Sequence, residues 1–96
     1  LMKNAHFILT LSCPDVKGIV ASVSSFLTEH QGFILESAQF GDFATGQFFM
    51  RTEFEAPLTA ESFAKKFAAV AKKFAMNWQI RDLAVKPKLV ILVSKA

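Results

Sequence analysis

From His6 to Cys13 the chain alternates, with Phe7, Leu9, Leu11 and Cys13 on one side and His6, Ile8, Thr10 and Ser12 on the other. A period of two reads as a strand with one buried face. Pro14-Asp15 breaks it, and Asp15 is the expected N-cap of a helix, because its carboxylate can accept from the free N–H groups of a following turn. Ile19, Val20, Val23, Phe26, Leu27 and His30 then recur at helical spacing, with serines and Glu29 between them. Gly32 is where a left-handed residue would close that helix. Phe33 to Phe43 reads as a second strand, with Gly41 marking a frayed end or a bulge. Ala44-Thr45-Gly46 is a tight connection. Beyond it Phe48, Met50, Thr52 and Phe54 alternate with Gln47, Phe49, Arg51, Glu53 and Glu55, so the two strands form a hairpin with glycine supplying the positive φ of the loop.

Pro57 stops the third strand, Thr59 can cap a second helix, and Glu61 sits in its first turn, where the helix dipole favours negative charge. Phe63, Phe67, Val70, Ala71 and Phe74 share one face of that helix. Asn77 to Val85 is a fourth strand, with Trp78 and Ile80 alternating against Gln79 and Arg81. The order β-α-β-β-α-β, joined by right-handed crossovers, specifies an α+β, ferredoxin-like fold: a four-stranded antiparallel sheet with both helices on one face.

A different pattern follows. Lys86-Pro87-Lys88 is a short polar linker, and Leu89 to Val93 is an unbroken apolar run. Such a run is expected of a strand buried on both faces, as in parallel α/β sheets. It has no place in the βαββαβ unit. The expected division is therefore 1–85 as one domain, with 86–96 as a linker and the first strand of a second domain whose remainder is absent. A ribbon woven into the same sheet as an integral fifth member of a self-contained fold would overturn this reading and any identification built on it.

Composition narrows the function classes. The chain has 96 residues, one domain's worth, and 52% of them are apolar against 20% charged, which excludes a disordered segment. Net charge is +3, from 11 Lys+Arg against 8 Asp+Glu, and Lys65, Lys66, Lys72 and Lys73 fall within the second helix. That pattern is a solvated helix face rather than a nucleic-acid signature. Cys13 is the only cysteine, so no intrachain disulfide forms. With no cleavable targeting pattern and no run near the roughly 18 apolar residues of a membrane span, a cytoplasmic setting is expected, with no membrane partner.

The chemistry-bearing residues make no catalytic set. His6 and His30 lie on different elements with no Cys or carboxylate at metal spacing, so no metal site is expected. His30 fits a helix terminus, and Cys13, with no base positioned beside it, reads as a buried structural thiol. The informative segment is Cys13-Pro14-Asp15-Val16-Lys17-Gly18-Ile19-Val20, where a strand ends, an acid caps and a glycine sits inside the first helical turn. A glycine there costs about 1 kcal/mol relative to alanine. Close approach of a ligand or a neighbouring strand would account for it, since glycine has no Cβ. The free N–H groups of this turn could take a carboxylate, which makes Asp15, Val16, Lys17, Gly18, Ile19 and Val20 the candidate effector-binding residues. Ordinary helix capping is the plain alternative.

Strand, then Pro-Asp-x-x-Gly-Ile-Val-Ala, then an amphipathic helix resembles the ACT domain, a βαββαβ module that senses amino acids. Ser12-Cys13-Pro14-Asp15, Gly18-Ile19-Val20-Ala21, Gly46-Gln47-Phe48-Phe49-Met50-Arg51 and Lys86-Pro87-Lys88-Leu89-Val90-Ile91-Leu92-Val93-Ser94 together resemble the N-terminal part of the formyltetrahydrofolate deformylases. The resemblance implies a parent hydrolase that converts 10-formyltetrahydrofolate to tetrahydrofolate and formate, feeding purine synthesis and one-carbon metabolism. It implies a covalently linked formyltransferase-like domain after Ser94 that holds the catalytic residues and the folate substrate, so this chain needs no cofactor of its own. It also implies glycine or methionine as effector, and homo-oligomers built through ACT–ACT contacts.

Two other readings stay open on the residues alone. A free-standing ACT-like regulator would share the fold but leave the Leu89–Val93 ribbon exposed and prone to aggregation. An RRM-like RNA binder has the same element order and displays aromatics on its open sheet face. Here Phe49 would be the main outward aromatic on its strand, beside Glu53 and Glu55, which repel phosphate.

Overall fold

A computed structural model describes residues 4–84 and 90–93. The elements follow the expected order: β1 (Ala5–Pro14), α1 (Ile19–Glu29), β2 (Phe33–Asp42), β3 (Gln47–Ala56), α2 (Ala60–Phe74) and β4 (Asn77–Asp82), with β5 (Val90–Val93) after them. The strands make one antiparallel sheet in the order β2-β3-β1-β4-β5. Its first four strands have the ferredoxin-like arrangement that two right-handed crossovers dictate.

The alternation decides which face is covered. Phe7, Leu9, Leu11 and Cys13 of β1, Phe48, Met50 and Phe54 of β3, and Trp78 and Ile80 of β4 share one buried cluster with Ile19, Val23, Phe26 and Leu27 of α1 and Phe63, Phe67 and Ala71 of α2. Both helices therefore lie on the same face. Aromatic rings join the layers: Phe26 meets Phe63 and Phe67 edge to face at 5.4 and 5.2 Å, and Phe67 meets Trp78 at 4.9 Å. Thr52, the buried polar residue of the core, is satisfied by Ser37, hydroxyl to hydroxyl at 3.2 Å.

Several expectations need correction. The apolar ribbon does not stand apart: Val90–Val93 pairs with β4, from Arg81 opposite Val90 to Trp78 opposite Val93. The outer side of β4 otherwise carries unpaired N–H and C=O groups, which an extended segment satisfies. The expected four-stranded sheet thus gains a fifth member, while Leu89 and the 86–88 linker lie outside the described residues. Gly41 is no bulge either. It pairs regularly with Phe48, and the irregularity falls between Ile34 and Glu36. The left-handed residue that closes α1 is Gln31, at φ 63°, rather than Gly32. Gly32 donates to the Leu27 carbonyl at 2.7 Å, and a Cβ on it would stand 2.9 Å from that same oxygen. Its smallness serves close approach in a two-bond helix terminus, with Gln31 donating to Thr28 in the second bond at 3.1 Å.

Candidate functional site

The turn between β1 and α1 departs from its sequence reading in two ways. Asp15 is not the N-cap. The cap residue is Gly18, at φ 91° and ψ 0°, and no side chain bonds to the helix start. Its carbonyl accepts the first helical bond, from Ser22 at 2.9 Å. Nothing lies within 4 Å of where a Cβ on Gly18 would be, so close approach does not explain this glycine. The positive φ does, because only glycine adopts it without penalty.

Asp15 has a longer-range role. Its N–H donates to the Gly46 carbonyl at 3.0 Å, which ties the turn to the tip of the β2–β3 hairpin. Its carboxylate lies 3.0 Å from the position a Cβ on Gly41 would take, so β2 and the turn meet at that glycine. The tip is itself braced by the Asp42 carboxylate, which accepts from the Ala44 N–H and the Thr45 hydroxyl, both at 3.0 Å. An acid opening a four-residue loop is a readable turn signal. Its pairing with the β1–α1 turn across 31 residues is not readable, so Asp42 is missed, and Gly46, whose φ of 70° fits its reading as the loop glycine, and Gly41 are read only within their own hairpin.

The six predicted residues occupy one turn but not one surface. Asp15, Val16, Lys17, Gly18 and Val20 are exposed, whereas Ile19 is 2% exposed and belongs to the core. The side chains of Val16 and Val20 are apolar and open, and polar recognition falls to the backbone N–H groups at the start of α1 and to the exposed Asp15 and Lys17 side chains. Cys13, two residues upstream of Asp15, is buried. Burial pushes its thiol above the ordinary value, and the Asp15 charge adds to the rise. A thiol disfavoured as thiolate is no nucleophile, in keeping with a structural role.

The histidines are placed as helix and sheet furniture. His30 Nδ1 is 2.9 Å from the Phe26 carbonyl and its ring lies 4.3 Å from that of Phe26. His6 Nε2 meets Glu53 Oε2 at 2.6 Å on the uncovered face of the sheet. Among the described residues no group of three or more His, Cys, Asp or Glu could hold a metal ion, and no helix is long and apolar enough to cross a membrane.

That uncovered face carries chemistry the sequence reading only glimpsed. The register aligns Phe40, Phe49 and Ser12 in one row, Ala38, Arg51 and Thr10 in the next, and Glu36, Glu53 and Ile8 in a third. Phe40 and Phe49 have ring centroids 6.2 Å apart and remain 64% and 42% exposed. Phe49 is thus not alone, but its partner is on β2. The row of carboxylates two rows along, Glu36 and Glu53, sets the face against a polyphosphate backbone. The Lys65, Lys66, Lys72 and Lys73 side chains are exposed on α2, on the opposite side of the sheet.

Comparison with known proteins shows what the chain is similar to. No established family profile matches the chain. A formyltetrahydrofolate deformylase from Corynebacterium sp. (strain P-1) is 39% identical over 98 residues, which is 99% of this chain and 34% of that protein. The crystal structure of a formyltetrahydrofolate deformylase from Pseudomonas syringae superimposes with a TM-score of 0.82 at 42% identity, over 84% of this chain and 28% of that one. An ACT domain protein from Streptococcus pneumoniae, at 21% identity, shares the fold with a TM-score of 0.75 over 88% of this chain and 97% of its own. The chain spans about a third of the length of the curated relatives it matches. It has the ACT fold, and its homologues along nearly the whole of its length are formyltetrahydrofolate deformylases about three times as long.

Proposed function

We propose that the chain is the regulatory and oligomerising part of a cytoplasmic formyltetrahydrofolate deformylase, with residues 1–85 as the ACT domain and 86–96 as the linker and first strand of a formyltransferase-like catalytic domain, a strand that leads into that domain while its Val90–Val93 stretch pairs with β4 on the edge of the ACT sheet. The hydrolysis of 10-formyltetrahydrofolate to tetrahydrofolate and formate, and its service to purine synthesis, belong in this reading to that catalytic part, together with its folate substrate. The effector is a small amino acid, glycine or methionine, held at Asp15–Val20. The observation that carries this is the start of α1: a helix N-terminus with no side-chain cap and no acid in its first turn, open to solvent beside an acid-braced hairpin tip.

Magnitudes require a second subunit. A helix terminus contributes about 0.3–1 kcal/mol to an anion, or about 2 when partly buried. Even a millimolar ligand needs about 4 kcal/mol. The remaining contacts come from a second copy aligned along β2. Nine of the ten positions of that strand are exposed, including Phe33, Ile34, Leu35 and Phe40, and its outer edge has no partner among the described residues. Long apolar edges of this kind pair with another strand.

Calorimetry with glycine and with methionine at millimolar concentration tests the reading. Heat that saturates, and that disappears in a variant held monomeric by a proline in β2, is the expected result. Absence of heat with both amino acids would leave an assembly role alone. A stable monomer with no effector would favour the free-standing regulator.

A further inference from the structure

The sequence pattern Gly46 to Arg51 places two side chains, Phe49 and Arg51, on the uncovered face of the sheet, where neither serves the core. Phe49 lies beside Phe40 to make a floor two rings wide. Arg51, in the adjoining row, sits between the small residues Ala38 and Thr10, and it makes no ion pair among the described residues. These groups line an open cleft of about 360 Å³ with a mostly apolar wall. A second cleft of about 290 Å³, lined by Thr10, Ser12 and Gln79, flanks Phe49 on its other side. The nearest carboxylates are Glu36 and Glu53, one row further on, and Glu53 is engaged by His6. Exposed ring faces attract a flat π-system, and an unpaired guanidinium attracts a carboxylate in bidentate geometry. A cleft of this volume lies at the lower end of small-molecule sites.

We infer that the uncovered face binds a planar aromatic ring bearing a carboxylate, stacked on Phe40 and Phe49 with its carboxylate on Arg51. The ligand class follows from the cleft itself. Only the choice of a folate fragment as one probe rests on the deformylase reading. The cleft shares no residue with the effector turn.

The test is a titration of the 96-residue chain with 4-aminobenzoate, followed through the backbone amide resonances of Phe40, Phe49 and Arg51. Saturable shifts at low-millimolar concentration are expected, weaker by about tenfold in Phe49→Ala and in Arg51→Gln and partly restored in Arg51→Lys. Benzamide, which lacks the charge, and cyclohexanecarboxylate, which lacks the plane, should each bind about tenfold less tightly. Both substituted side chains are exposed, so the thermal midpoint should not move and a folding defect is detected separately. Equal binding of cyclohexanecarboxylate, or no saturation at about 20 mM, overturns the proposal. So does concentration-dependent shifting, without ligand, of the Phe49 and Arg51 amides on the inner strand β3 that 4-aminobenzoate fails to reverse, which would assign the face to a second copy. A parallel arm with 4-aminobenzoyl-glutamate separates the two readings. Binding of 4-aminobenzoate but not of 4-aminobenzoyl-glutamate, whose ring carboxyl is an amide and whose carboxylates lie on the glutamate, keeps this site and removes its link to folate.

Discussion

The two helices of this domain begin in opposite ways. At α2, the Thr59 hydroxyl accepts the Ser62 N–H at 3.0 Å, and Glu61 stands in the first turn. The helix start is satisfied by its own residues. At α1, a left-handed glycine takes the cap position, no side chain reaches back and no acid stands in the first turn. Asp15, the acid that could have capped it, is held by the hairpin tip instead. A self-satisfied terminus contributes to stability. An unsatisfied one gives some up and leaves N–H groups available to something else, which is why the proposed effector site is at α1 and not at α2.

The largest test asks whether these termini matter to the fold at all, or whether packing dominates. Phe67 is fully buried, between Phe26, Phe63 and Trp78. Phe67→Ala should cost about 3–5 kcal/mol, measured by urea denaturation, and this can exceed the reserve of so small a domain. If the loss were no greater than that of a cap, α2 would be held by its terminus and the contrast between the two starts would become the main determinant of stability. Next in size is Gly18→Ala. The added Cβ meets nothing within 4 Å, so the whole cost is the backbone conformation at φ 91°, about 1–2 kcal/mol. A neutral result would mean the turn can relax to another geometry, and the open N-terminus of α1 would lose its structural basis.

The parts of this architecture legible in the sequence are those decided by neighbours along the chain. Phe48, Met50, Thr52 and Phe54 are buried and Phe49 and Arg51 exposed, as a period of two requires. Thr59 caps α2 because cap and recipient are three residues apart. The failures share a different cause. Asp15 looks like a cap until the Gly46 carbonyl, far along the chain, takes its N–H and moves the helix start to Ile19. Gly41 looks like a bulge until its partner Phe48 is known, and Leu35 does not look like one. The ribbon offers the same lesson at larger scale. Its unbroken apolar run says that it wants burial on both sides, but not which edge it joins, and it joins β4. Its separateness was therefore no measure of family, which rests on identity along nearly the whole chain. Of the site, the turn was legible and its partner hairpin was not. On the uncovered face Phe49 was legible, whereas Phe40 beside it required the register.

Thr59→Ala sharpens the contrast at the other helix. Losing one side-chain cap should cost about 1 kcal/mol, visible as a small drop in the denaturation midpoint with an unchanged slope. Glycine or methionine binding should be unaffected, because the loss is at α2. If effector affinity fell as well, the two helix starts would be coupled through the Phe26–Phe63–Phe67 contacts and could not be treated as independent.

The smallest effect reports on what Asp15 does in place of capping. Its charge lies near the buried Cys13 thiol, which burial first and that charge second hold above the ordinary value of 9.0. A group whose pKa is raised on folding contributes stability that is complete below its unfolded value and is lost as pH rises through the folded one. Urea midpoints should therefore hold steady up to about pH 9 and decline above it, after subtraction of the same series in Cys13→Ala, which removes this thiol while other groups titrate as before. Asp15→Asn should reduce the decline without abolishing it, since burial is the larger cause and remains. If Asp15→Asn leaves the decline unchanged, the exposed carboxylate is screened by solvent and does not sense Cys13, and burial alone raises the thiol.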